Sequence, residues 1–326
     1  MTDNSSKVIP LYTMPPLDGM QDVLGDLGSP ATVTKVTVAD DLSNLDEARN
    51  TARESDVVVL MAGMVATEGA DHPDANMLND QNQMLDELLG VSPTTVVVLK
   101  DSNPMLMPWI AKAPAVLEVW NQGTEDGHVV ADLLFGVVNP SGKVPTSYPR
   151  SQDDTLYAGR PERYPGTDEG DGYPVIRYSE GLEIGYRWFQ AQAIEPLFGF
   201  GFGLSYTTFD IAEVSVDAPD GANAPVIVTA SVTNTGPVAG AEVVQVYLRV
   251  PVEGQPPKRL VGFQKMFVEP GESKPVTITI DPAATNHPFS VWDYCAQGFV
   301  IKPGQYTVYV GNSADNTPHT ATLAAG

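Results

Sequence analysis

Residues 56–74 read DVVVLMAGMVATEGADHPD: an apolar run closes on the small residues Ala62 and Gly63, and a Gly-containing loop follows that carries a carboxylate, Glu68. An uninterrupted apolar strand of this kind is covered on both faces, as in a parallel sheet. In open α/β sheets ligands collect beyond the carboxyl ends of the strands, where the packed strands fix the loops. Glu68 is therefore the first candidate for a working group. The plainer alternative is that it is one acid among many on an acidic surface.

Outward from this stretch, between Thr32 and about Ser147, short apolar runs alternate with helical patterns. VTKVTV (33–38) reads as a strand, and LDEARNTARES (45–55) as a helix with Leu45, Ala48 and Ala52 on one side. DQNQMLDELLG (80–90) has Met84, Leu85, Leu88 and Leu89 at helical spacing and stops at Gly90. TTVVVLK (94–100) and PAVLEVW (114–120) are further strands, and GTEDGHVVADLLFG (123–136) is a further helix ending at Gly136. Strands alternating with helices predict an α/β layered domain with a mostly parallel sheet. In VNPSGKVP (138–145), Pro140 and Gly142 predict a tight turn that returns the chain to the sheet.

The stretch 151–174, SQDDTLYAGRPERYPGTDEGDGYP, is polar, rich in Gly and Pro, and too long for a tight connection. Tyr157, Tyr164 and Tyr173 favour a loop packed over a site above a disordered linker. From about Phe209 the helical period is lost. VIVTASVTNTG, AEVVQVYLRV, KRLVGFQKMFV, KPVTITI and GQYTVYVG are β-rich runs separated by turn signals, the pattern of an all-β sandwich. The expected division is an α/β domain over 1–206 and a β-sandwich over 207–326, both within reach of a chain of 326 residues.

The formal net charge of −23 argues against nucleic acid or an anionic membrane surface as a partner. Cys295 is the single cysteine, so no intrachain disulfide can form; its apolar-aromatic setting, FSVWDYCAQGFV, predicts a buried, inert thiol. His72, His128, His287 and His319 are scattered without metal-ligand spacing, so neither a metal nor a cofactor is indicated. No apolar run is long enough to span a membrane, and MTDNSSKVIP lacks the basic and apolar regions of an export signal. A cytoplasmic location is expected if Met1 is the true start. Neither GxGxxG after a strand nor GxxxxGK[ST] occurs, which sets a nucleotide-binding reading aside.

The segments in order, PLDGMQDVLG (16–25), TEGADHPDANMLNDQNQMLDEL (67–88), VVVLKDSNPMLMPWI (96–110), PAVLEVWNQGTEDGHVVADLLFGVVNPSGKVPTSYP (114–149), YSEGLEIGYRWF (178–189) and EPLFGFGFGLSYTTF (195–209), resemble the C-terminal half of a glycoside hydrolase family 3 enzyme of the β-glucosidase group. NTGPVAGAEVVQVYL (234–248), RLVGFQKMFVEPGES (259–273) and KPGQYTVYVG (302–311) resemble the fibronectin type III-like domain that many members carry.

The resemblance implies that Glu68 is the general acid/base of retaining hydrolysis, with Asp71 and His72 as orienting or substrate-contacting residues. His72 stands where the family usually has Arg. The family's nucleophile is an aspartate of a separate N-terminal (β/α)8 barrel, and no segment here resembles a barrel; Trp292-Asp293-Tyr294 is a passing lookalike within the sandwich. Retaining hydrolysis needs two carboxylates about 5 Å apart. The chain is thus expected to supply one of the pair, to be inactive alone, and to share a β-glycoside site with a barrel domain or barrel subunit.

The family's strand ahead of PLDG is also missing from the pattern. A fragment, a split chain and a remnant that only binds are all compatible with this. The competing function is a non-catalytic carbohydrate-binding or protein-interaction module, for which Trp109, Trp120 and Trp188 could stack on sugars although core packing suits them better. The aromatics of FGFGLSYTTF read as core.

Overall fold

The sheet that carries the loop of interest starts at β1 (Val58–Gly63), and what precedes it sets its surroundings. In the computed structural model, residues 10–64 and 72–325 are described. By packing, the chain divides into one unit of residues up to 138 with 149–152, and a second of 139–148 with 153 onward.

In the first unit, α1 (Pro16–Asp26) begins on a proline, which costs nothing where the first N–H lacks a helical partner anyway. Gly19 and Gly25 make it a poor helix by propensity. Gly19 is required by packing, because a Cβ there would run into the backbone of Gly127 on α4 (Asp126–Leu134). Met20 and Val23 of α1 and Ala131 of α4 form one buried cluster. α2 (Leu45–Glu54) buries Leu45, Ala48 and Ala52, the stripe read from the sequence.

β1, β2 (Thr95–Lys100) and β3 (Ala115–Glu118) form a parallel sheet in the order β1-β2-β3, with Val58 opposite Thr95 and Val96 opposite Ala115. α3 (Gln81–Leu89) crosses from β1 to β2 and buries Leu85, Leu88 and Leu89. Val98, Val119 and Val130 make a core between sheet and α4. All three carboxyl ends lie on one edge, the edge at which α/β sheets hold ligands.

The strand expected over 33–38 does not form. Val33, Val36 and Val38 do not keep a period of two, and no described strand offers a ladder to this segment. The Asn44 side chain takes over instead, donating to Thr37 O at 2.9 Å and accepting from Ala39 N–H at 2.8 Å, while Val33 packs on the α1/α4 cluster.

The tight turn expected at Pro140–Gly142 is also absent. The chain turns earlier, at Gly136 (φ +72°), and then runs extended beside residues 197–202. Val144 N–H donates to Phe202 O, Gly201 N–H to Val144 O, Tyr148 N–H to Phe198 O and Leu197 N–H to Tyr148 O, each at 2.8 Å.

The second unit opens with turns, a two-residue hairpin of β4 (Thr167–Asp168) and β5 (Pro174–Val175), and α5 (Tyr186–Ala191). Tyr157 and Tyr164 pack at 5.4 Å between ring centroids, whereas Tyr173 points to solvent.

Antiparallel strands follow: β6 (Phe209–Asp217), β7 (Val226–Asn234), β8 (Gly240–Arg249), β9 (Arg259–Val268), β10 (Ser273–Ile280), β11 (Ser290–Asp293), β12 (Gly298–Ile301), β13 (Gly304–Gly311) and β14 (His319–Ala325). They build one sheet in the order β10-β7-β6, one in the order β14-β13-β8-β9, and the hairpin β11-β12. Alternate residues Val226, Val228, Ala230 and Val232 meet Val244, Val246 and Leu248 and Tyr306, Val308 and Val310 in the core. That is the alternation of a sandwich.

β8 is buried on both faces because the preceding chain covers its other side: Gln245 Nε2 donates to Gly201 O at 3.1 Å, and Tyr186 meets Tyr247 edge-on. In the FGFG stretch, Phe198 stacks on Phe202 and Phe200 on Tyr186, each half-buried.

Cys295 departs from expectation. It is exposed, because FSVWDYCAQGFV folds as the β11-β12 hairpin and places Cys295 in its turn. The Asp293 carboxylate accepts from the N–H groups of Cys295 and Ala296 at 2.8 and 2.9 Å, and its pairing with Lys302 holds its pKa down to about 2.

Candidate active-site loop

Glu68 and Asp71 lie outside the described residues. The described structure defines the two limbs that flank residues 65–71. On the outgoing limb, Gly63 closes β1 so near Lys100 O that a Cβ would overlap it, which makes this glycine a packing requirement. Met64 N–H then donates to Lys100 O at 3.2 Å.

The Gly63 peptide groups are clamped from the side. Gly63 N–H donates to Gln81 Oε1 at 2.9 Å, and Gln81 Nε2 donates to Gly63 O at 2.8 Å and to Leu78 O at 3.0 Å. One side-chain amide at the start of α3 therefore ties the end of β1 to the chain that re-enters the helix.

The return limb begins at half-buried His72. Asp74 Oδ1 accepts from Asn76 N–H at 2.8 Å, turning the chain. Ala75 N–H donates to Gln152 Oε1 at 3.0 Å, Leu106 N–H donates to Ala75 O at 2.8 Å, and Ala75 and Met77 are buried. Asn79 and Asp80, with φ of 57° and 53°, adopt the left-handed conformation their short polar side chains tolerate and swing the chain into α3.

Around these limbs, the same sheet edge holds polar groups from the other strands. Asp101, directly after β2, is fully buried, and Lys100 pairs with Asp126 of α4. Asn121 Nδ2 donates to Ser102 Oγ at 2.9 Å, joining the loops after β3 and β2. Trp109 is buried and donates from Nε1 to Asn82 Oδ1 at 2.9 Å, a core role. Trp120 and Trp188 are half-buried.

Of the three residues singled out from sequence, His72 alone can be located. The Gln81 clamp and the Asn121–Ser102 link carried no signal there, since a Gln at a helix start and an Asn after a strand are common. Among the described residues no group of three or more His, Cys, Asp and Glu could hold a metal ion, and no helix is long and apolar enough to cross a membrane.

Comparison with known proteins agrees with this architecture. The family model described as the glycosyl hydrolase family 3 C-terminal domain matches residues 1–206, and a fibronectin type III-like domain matches 242–314. The chain is similar to the thermostable beta-glucosidase B of Acetivibrio thermocellus, 36% identical over 277 residues that make up 83% of this chain and 35% of that protein.

Among solved structures, a GH3 beta-glucosidase of Bifidobacterium adolescentis superposes with a TM-score of 0.84 at 32% identity, over 98% of this chain and 46% of the other. DesR, a beta-glucosidase of Streptomyces venezuelae determined with D-glucose, superposes with a TM-score of 0.80 at 35% identity, over 86% of this chain and 35% of the other. The chain spans about a third of the length of the curated relatives it matches.

Proposed function

Because the chain belongs to glycoside hydrolase family 3, through that family's C-terminal domain, we propose that it supplies the acid/base half of a β-glucosidase-type retaining site. Glu68 protonates the leaving glycosidic oxygen and then activates the water that releases the sugar. The nucleophilic aspartate stands on a (β/α)8 barrel, in the same parent protein or in a separate subunit. The two carboxylates act about 5 Å apart, and neither replaces the other, since covalent attack and proton transfer are different steps. The chain by itself is then inactive.

The observation that carries this reading is the similarity, along most of this chain, to β-glucosidases of which it spans only a part. A loop rooted at the carboxyl end of β1 and gripped by Gln81 supports it, because a proton donor must be held within a few tenths of an ångström to act.

Asp71 and His72 orient Glu68 or touch the sugar. An imidazole can be neutral where a guanidinium cannot, so His72 gives the acid/base a different charge environment from that of relatives with Arg.

The test is reconstitution with the barrel of a relative and assay on an aryl β-glucoside. An active mixture is expected to lose hydrolysis when Glu68→Gln is introduced, and activity that survives this change sinks the assignment. His72→Arg is expected to move the pH–rate profile; superimposable profiles would remove His72 from the site. Calorimetric binding of cellobiose by the chain without any barrel would favour a non-catalytic module instead.

A further inference from the structure

The loop between Tyr173 and Gly185 covers a buried ion pair and turns apolar side chains to solvent. Its Glu180 approaches Arg163 to 3.5 Å, with side chains only 6% and 9% exposed. Arg163 Nε donates to Ser179 Oγ at 2.8 Å, its Nη1 donates to Leu156 O at 2.6 Å, and its guanidinium lies 5.3 Å from the Trp188 ring centre. Arg177 N–H donates to Glu162 O at 2.7 Å.

Outward point the apolar groups. Tyr178 is 81% and Tyr173 74% exposed, and Ile176, Leu182 and Ile184 are half-exposed. A loop meant for water would keep its apolar groups covered, since exposed apolar surface forgoes the gain of burial.

The backbone is held in this arrangement by successive turns. Gly181 N–H donates to Tyr178 O at 3.1 Å, Glu183 N–H to Glu180 O at 3.1 Å, and Ile184 N–H to Leu182 O at 3.1 Å. An apolar surface on a pinned loop marks an interface.

We propose that this loop, through Ile176, Tyr178, Leu182 and Ile184, is the docking surface for the barrel segment, an inference that rests on the reading given above. Two observations select this occupant. The chain is matched over most of its length by relatives of which it makes up less than half, so the larger part of each relative lies outside the portion present here and is available to cover this surface. The chemistry of the loop suits a broad apolar contact: several of its backbone amides donate within its own turns, and its exposed Arg177 already pairs with Glu169.

The experiment titrates the full chain with the barrel portion of the A. thermocellus relative by isothermal calorimetry. Leu182→Glu with Ile184→Glu is expected to weaken association at least ~30-fold, the size of an interface hot spot, with an unchanged urea midpoint. Tyr178→Lys serves should the double variant fold poorly, and Phe263→Glu, at an exposed position on β9, should bind like the parent chain.

Unchanged affinity of the loop variants, an equal loss in Phe263→Glu, or no association of the parent chain overturns the proposal. So does sedimentation showing a dimer of this chain that the loop variants dissolve. Glu68→Gln should bind the barrel normally, so a wrong acid/base assignment and a wrong docking surface give different results.

Discussion

The side-chain amide of Gln81 pairs with both the N–H and the C=O of Gly63, at 2.9 and 2.8 Å. It thereby closes the base of the loop between β1 and α3.

Removing this clamp has a defined cost. Gln81→Ala strands both Gly63 groups and is expected to destabilise the chain by about 1–3 kcal/mol. Gln81→Glu keeps the acceptor but sets a carboxylate against Gly63 O, so it should fare no better. Gly63→Ala should be at least as damaging, because its Cβ overlaps Lys100 O. Urea denaturation measures all three. In a reconstituted hydrolase, Gln81→Ala should lower kcat more than it raises KM, as expected when a proton donor is misplaced.

The apolar periodicity made most of the framework legible, and the exceptions share a cause. β1, β2, β3, α2, α3 and α4, and the strands from β7 to β10, coincide with apolar runs and periods read from the sequence. The failures came where one residue's partner lies far along the chain. α1 looks like a poor helix until Gly127 is seen against Gly19. β6 loses its period at a bulge between Ala212 and Ser215, with Glu213 at φ +52°. β14, HTATLAA, is too small in side-chain bulk to announce itself. Residues 33–38 have strand-forming types but no ladder. In the candidate site, the clamp of Gln81 on Gly63 was not legible, because it depends on a contact across 18 positions.

Cys295 gives a direct check on the hairpin. Its thiol is exposed in the β11-β12 turn, so the native chain should react with Ellman's reagent in full and at the rate of a free thiol, before any denaturant is added. Protection of the thiol in the folded chain would return it to the core and contradict the turn.

A second check comes from pH. Tyr12 donates to Glu125 Oε1, while His128 Nδ1 lies 2.6 Å from Glu125 Oε2 and its Nε2 lies 3.5 Å from Asp22. The hydrogen bond to Glu125, with help from Asp22, raises His128 above its usual 6.5, and the bonds from Tyr12 and His128 lower Glu125 below its usual 4.5. A raised His pKa contributes stability that is complete below 6.5 and fades as pH rises through the folded value. A lowered Glu pKa contributes stability present above 4.5 and lost as pH falls through the folded value. The network is therefore worth most between those limits. The Tm difference between the parent chain and His128→Ala should be largest between those limits and shrink as pH rises through the raised folded-state value of His128; a difference that grows toward alkaline pH would contradict the geometry.

The Lys143–Glu242 pair separates the cost of breaking an ion pair from the worth of having one. The two meet at 2.7 Å with side chains only 12% and 9% exposed, and Lys143 also donates to Gly203 O at 2.8 Å. Glu242 further accepts from Val243 N–H at 2.7 Å, so its charge is held in place whatever happens to the lysine. Lys143→Met should then cost about 3–5 kcal/mol, because it leaves a buried carboxylate uncompensated. The double change Lys143→Met with Glu242→Leu removes both charges and keeps similar volume, and should recover most of that loss. Urea unfolding of the four chains of this cycle gives the coupling. A double variant as unstable as Lys143→Met would mean that the pair itself, and not the orphaned charge, holds this part of the sandwich together.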